Sequence, residues 1–205
     1  MPLDLRELLD PSTTAVLTME LQRGIVGDLA NLPDLASAAQ PMFPAVRRLL
    51  DAARTAEVPV VHCHAGPPSV PTAPPNYPLA SALAKRSGGV APPPGHWETI
   101  PDIGAQPTDY VVARGHGMSP FTGTSLDSVV RRLGTRTVIA TGVSLNVGII
   151  AMCVEAVGLG YRAVVATDAV AGTPREHAES VLEHTLRMLA TRLTVDEITA
   201  TWAGA

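Results

Sequence analysis

The stretch TVIATGVSLNVGIIAMCVEAVGLG, Thr137 to Gly160, decides how the rest of this chain folds. It opens on a β-branched run, Thr137 to Thr141, of the kind that forms a strand buried on both faces. The chain then turns through Gly142-Val143-Ser144 and enters a helix that is apolar almost all round. A helix without a polar face is expected in the middle of a fold. Ser144 or Asn146 is expected to cap its first turn, where backbone N–H groups lack partners. Gly148 falls in that turn although glycine there costs about 1 kcal/mol relative to alanine. The space or the bare backbone at that point is therefore needed for something.

Outward from this stretch, strands and helices alternate. Toward the N-terminus, residues 3–10 read as a short helix ended by Pro11, and Thr14 to Met19 as a first buried strand. Residues 35–57 are helical in pattern, with Pro41 and Pro44 breaking the first part. Val58 to His62 reads as a second strand and Asp109 to Arg114 as a third, after which a helix runs from Thr124 or Ser125 to Gly134. Beyond Gly160, Arg162 to Thr167 is a fifth strand ending in Asp168, which is expected to hold a loop. A helix from Pro174 to about Ala190, a short strand at 192–195 and a helical turn reaching Trp202 follow. This alternation predicts an α/β fold: a doubly wound α/β/α sandwich on a six-stranded, mainly parallel sheet. Ligands of such sheets bind beyond the carboxyl ends of the strands, where the strand order reverses.

All 205 residues are read as one domain. Within it, residues 65–108 form a long Pro- and Gly-rich passage, expected to be a lid or an oligomer contact, with Trp97 its best candidate for burial. A net charge of −4 with scattered basic residues argues against a nucleic-acid partner. No apolar run approaches the roughly 20 residues that cross a bilayer. Asp4, Arg6, Glu7 and Asp10 interrupt the N-terminus, so no secretory signal and a cytoplasmic location are expected. The two cysteines, Cys63 and Cys153, do not make a disulfide framework. No G-x-G-x-x-G follows a strand and no Walker A sequence is present, so neither NAD nor ATP is supported and no cofactor is expected.

Four segments carry a resemblance. They are Met19-Glu20-Leu21-Gln22; Val112-Ala113-Arg114; Phe121-Thr122-Gly123-Thr124-Ser125-Leu126; and Gly142-Val143-Ser144-Leu145-Asn146-Val147-Gly148. Together with Gly160-Tyr161 and Thr167-Asp168-Ala169 they resemble the isochorismatase-like hydrolases, the cysteine hydrolase superfamily. The resemblance implies sheet order 3-2-1-4-5-6, with the switch point between strands one and four. It implies an Asp-Lys-Cys triad, and here this chain departs. Glu20 stands at the Asp position and Gly148 at the Cys position. Arg114 matches the Lys once one residue is inserted before Phe121. Arginine keeps its proton near neutral pH, and no sulfur stands at 148. The true isochorismatases are similar in placing Gly at the Cys position; they act by carboxylic-acid protonation and water attack.

The expected activity is therefore that of a small-molecule hydrolase or related acid–base enzyme without a covalent thiol, Glu20 and Arg114 being catalytic. The alternative is a degenerate relative that binds a small metabolite. A cysteine hydrolase using Cys63 ranks last. Gly148, Asn146, Ser144, His116, His62 and Gln22 are the expected substrate-binding residues. His62 and His64 alternate at a strand end, where some relatives hold a metal, but no third ligand is evident and no metal is expected. Relatives are frequently homo-oligomers, which the resemblance implies here too.

Overall fold

The run TAVLTM is buried over its whole length because it forms β1 (Thr14–Met19), the third strand of a six-stranded sheet. The computed structural model describes residues 4–204, so Leu3 of the expected first helix lies outside it. The other strands are β2 (Val60–Ala65), β3 (Tyr110–Arg114), β4 (Thr137–Gly142), β5 (Arg162–Val170) and β6 (Thr191–Leu193). Their order is β3-β2-β1-β4-β5-β6, and every neighbouring pair is parallel.

Strand parity divides the core. Val16, Val60, Ile139 and Val164 lie in register across four strands and belong to one apolar cluster. That cluster is closed by α2 (Pro33–Ala39), α3 (Phe43–Thr55) and α8 (Val195–Ala203), which follow the four-residue α1 (Leu5–Leu8) in the chain. The next row, Leu17, Val61, Ala140 and Val165, points the opposite way into a second cluster. There it meets α5 (Leu126–Arg132), α6 (Ile150–Gly158) and α7 (Arg175–Ser180). The three layers follow from this alternation. A row of bulky apolar residues on each face needs a helical layer to cover it.

Several boundaries move. β2 starts at Val60, two residues later than expected, and continues to Ala65, three residues past the expected end, because it pairs as far as Ala65 with Arg114 of β3. β5 runs through Asp168 to Val170. The turn after β4 carries no side-chain cap from Ser144 or Asn146; it winds first as a π-helical turn, Leu145–Ile149, and then as α6. That helix is not enclosed all round. Val154 and Val157 on its outer face are 48% and 45% exposed.

The long passage after β2 divides in two. Residues 67–76 are exposed throughout, and α4 (Pro78–Ser87) buries none of its residues. The return packs down: His96, Ile100 and Ile103 are buried, whereas Trp97 is only half-buried. Gln22 fixes the return, its amide nitrogen donating to the Ala65 and Trp97 carbonyls at 2.9 and 2.8 Å.

Candidate functional site

β1 ends in an abrupt bend. Glu20 has φ +54°, in the left-handed region that non-glycine residues rarely occupy, and its carbonyl accepts from the Gln22 N–H at 2.9 Å. Its own N–H donates to the Cys63 carbonyl of β2 at 2.9 Å, continuing the ladder one residue past the strand. The bend brings the Glu20 carboxylate against the last residue of β3, where Arg114 Nη2 donates to Glu20 Oε1. The side chains of the pair are 12% and 5% exposed. Arg114 Nε donates to the Gly117 carbonyl at 3.0 Å. Nη1 is buried and has no partner among the described residues. Two strand ends separated by β2 thus present a carboxylate and a guanidinium together, with the two N–H bonds of Nη1 left without a partner among the described residues.

Gly148 lies one layer below. A side-chain carbon at 148 would point at Met19, the residue before Glu20. The Met19 side chain thus stands where a side chain at 148 would extend. Asn146 and Ser144, in the same turn, are half-buried. Asn146 donates through Nδ2 to the Thr173 carbonyl at 3.4 Å, and its Oδ1 is buried without a partner among the described residues. Ser144 closes the turn with its backbone, accepting from the Val147 and Ile149 N–H groups at 3.2 and 3.1 Å.

Three other expected site residues turn away. Gln22 is wholly buried; besides its two donated bonds, Oε1 accepts from the Ala65 N–H at 2.7 Å. Its amide is fully used in binding backbone and so positions the segment. His62 is buried on the opposite face of β2 from Cys63, between Thr18 Oγ1 at 2.8 Å from Nδ1 and Asp109 Oδ2 at 3.0 Å from Nε2. Asp109 also binds Arg54 of α3 at 2.6 Å. Burial lowers the pKa of His62, outweighing the opposite effect of Asp109. The ring is therefore neutral near pH 7, donating from Nε2 and accepting at Nδ1. His116 is exposed, and its ring lies over Gly123.

His64 Nε2 meets Thr99 Oγ1 at 2.9 Å, and burial followed by the neighbouring His62 pushes its pKa down to about 4. With both outer ring nitrogens held by protein groups, the two imidazoles do not converge. No group of three or more His, Cys, Asp or Glu among the described residues is placed to hold a metal ion. Cys63 is fully buried, its thiol pushed up to about 12 by burial against a smaller lowering by Arg114.

The residues that sequence reasoning missed are Met19, Asp109 and Thr99. Alternation along β1 was the available signal for Met19, since it sends residue 19 to the face of the Gly148 helix. Asp109 and Thr99 act across large sequence separations and leave no local signal. Two shallow surface grooves lie elsewhere, one between α1 and α8 and one around Tyr161 and Arg187. Neither is lined by the polar groups described above, and neither offers a comparable cluster of chemistry.

A family model described as the isochorismatase domain matches residues 14–197. An uncharacterised isochorismatase family protein of Bacillus subtilis (strain 168), YwoC, is 33% identical over 111 residues, 54% of this chain and 58% of that protein. The chain thus matches little more than half the length of that relative. The ureidoacrylate amidohydrolase RutB of Stutzerimonas stutzeri (strain A1501) is 30% identical over 189 residues, 82% of this chain and 73% of that protein. Among solved structures, an isochorismatase family protein from Burkholderia thailandensis superposes with a TM-score of 0.75 at 26% identity, covering 94% of this chain and 96% of its own.

Proposed function

The chain belongs to the isochorismatase family, and from that membership and the Glu20–Arg114 pair we propose a small-molecule hydrolase acting by acid–base chemistry without a covalent cysteine. The observation that carries this reading is the buried carboxylate–guanidinium contact beyond the switch-point strand, with Arg114 Nη1 left unsatisfied. In the proposed reaction Nη1 receives an oxygen of the substrate, and Glu20 moves the proton that bond cleavage by water requires. In this reading Glu20 takes a proton from water first and returns it to the leaving group. Buried, high-pKa thiols at Cys63 and Cys153 and a glycine at 148 all support a mechanism without sulfur. The RutB relative is named for an amidohydrolase activity, which makes ureido and amide compounds, with vinyl ethers, the first substrates to screen.

The proposal extends to a cytoplasmic homo-oligomer of single-domain chains, the passage over residues 65–108 serving as a contact between copies. The exposure of α4 and of the outer face of α6 supports this.

The test is turnover of any hit by a Glu20→Gln variant, which keeps the shape of the side chain and removes its basicity. A loss of about 10²–10⁴-fold is expected. Unchanged turnover in the folded variant removes Glu20 from the mechanism. Ligand affinity that changes without any turnover in the native protein supports a metabolite-binding protein instead.

A further inference from the structure

Met19 and Gly148 meet where the helix after β4 approaches the end of β1. A carbon added to Gly148 would stand 2.9 Å from Met19 Cε, 3.3 Å from Met19 Cγ and 3.3 Å from the Val143 carbonyl oxygen. Separations under about 3 Å are closer than carbon–carbon van der Waals contact allows. Relief has to come from the side chain, because the Met19 backbone is pinned. Met19 pairs with Cys63 on one side and Gly142 on the other, and its carbonyl accepts from the Val143 N–H at 2.9 Å. The contact also reaches Cγ, so moving the terminal methyl alone does not clear it. Met19 itself is completely buried, in the same cluster as Ile149 and Met152.

We infer that Met19 is a specificity-determining plug of the site: its thioether occupies the volume of any side chain at 148, next to Glu20, and so commits the site to chemistry without a nucleophile there. The plug rests on the reading of Glu20 and Arg114 as the reacting pair, and its physical content is separable from that reading. Met19 directly precedes Glu20 in the chain and is completely buried, so it forms the packed floor from which the Glu20 bend departs. With the floor filled, a substrate engages only the Glu20–Arg114 edge. With Met19 trimmed, the same volume admits a thiol.

A double-mutant cycle tests this. Met19→Ala, Gly148→Cys and the double variant are compared with the native protein by urea unfolding, and each folded protein is treated with iodoacetamide and weighed by intact mass spectrometry. Gly148→Cys alone is expected to be destabilised by overpacking, and Met19→Ala alone by the cavity it leaves. The double variant is expected to unfold at a higher urea concentration than either single variant. It is also expected to gain one carbamidomethyl group, the thiolate displacing iodide. Cys63 and Cys153 give a silent background, being buried with thiol pKa values pushed up to about 12.

A native-like midpoint for Gly148→Cys, or strictly additive losses in the double variant, overturns the plug. Rescue without alkylation overturns it as a part of the site, leaving ordinary core packing. If Gly148→Cys does not fold, the cycle of Met19→Leu with Gly148→Ala repeats the stability comparison with smaller changes, and alkylation is then read in the Met19→Ala, Gly148→Cys double variant. None of these readouts depends on turnover, so a failed Glu20→Gln experiment and a failed plug are distinguishable.

Discussion

Glu20 and Glu57 share a backbone conformation that neither side chain favours, with φ of +54° and +57°. For an L-residue this costs roughly 1–2 kcal/mol, and glycine escapes it. Glu57 is exposed where α3 unwinds, and its N–H merely closes the helix end on the Arg54 carbonyl. Glu57→Gly is therefore expected to raise stability by about 0.5–1 kcal/mol, seen as a higher urea midpoint. Glu20 has the opposite balance, because its bend delivers a carboxylate to Arg114. Glu20→Gly relaxes the backbone yet strands a buried guanidinium, and a net loss of about 3 kcal/mol is expected in the same measurement. A stabilised Glu20→Gly would show that the pair contributes nothing to the fold. Arg114 uses its fork, giving Nη2 to Glu20 and Nε to the Gly117 carbonyl. One lysine nitrogen does not reproduce that geometry, so Arg114→Lys is expected to lower turnover nearly as far as Arg114→Ala. Recovery to near-native turnover in Arg114→Lys would reduce the residue to a point charge.

The strands hold a second polar system that sequence reasoning misplaced. Thr18, His62, Asp109 and Arg54 form one buried string tying β1, β2, the approach to β3 and α3. The strands themselves were legible, because buried parallel strands read as β-branched runs and their carboxyl ends mark the ligand edge. Glu20 and Arg114 could be found that way. The direction of His62 could not: β2 extends three residues beyond the expected end, so His62 sits inside the strand and faces the α3 side through Asp109 and Arg54. The string has a pH signature. Burial lowers the pKa of His62, His64 and His96, that of His64 to about 4. Below its ordinary pKa of about 6.5, the unfolded imidazole binds a proton that the folded one refuses. Stability therefore falls as pH drops from about 6.5 toward 4, by on the order of a few kcal/mol. Asp109 acts lower: burial opposes ionisation, but Arg54, the Gln106 N–H and His62 hold its pKa below 3.8, so its contribution is lost only at more acid pH. Urea midpoints measured between neutral pH and about pH 4.5 should decline, and His64→Asn should flatten the decline. Midpoints independent of pH across that window would contradict the buried neutral histidines.

At the scale of the molecule, the least legible feature was which apolar surface stays uncovered. The run from Leu145 to Leu159 reads as fully buried, but α6 packs on β4 and β5 with one side only, leaving Val154 and Val157 exposed on the other. Periodicity reports that a residue is apolar; it does not report whether the covering surface belongs to the same chain. The same holds for α4. None of its ten residues is fully buried; Leu79 is exposed and Leu83 partly buried, and the two lie one turn apart on one face. Isolated helices shorter than about 12–15 residues are marginal in water, so α4 is expected to gain a further surface from outside its own chain. A second copy supplies such surfaces at no further cost in sequence, since symmetric pairing covers each exposed face twice. The chain is therefore expected to elute above its monomer mass in light-scattering chromatography. Leu79→Glu with Leu83→Glu should shift it toward the monomer and reduce helical circular dichroism by the contribution of α4. The roots of the excursion are held independently, by Gln22 on Ala65 and Trp97 and by the Gly66 N–H on the Arg114 carbonyl, so the sheet should survive the change. Near-native melting of the double variant would show that survival. A native chain that runs as a monomer at micromolar concentration, with α4 still helical, would remove association as the reason for this helix.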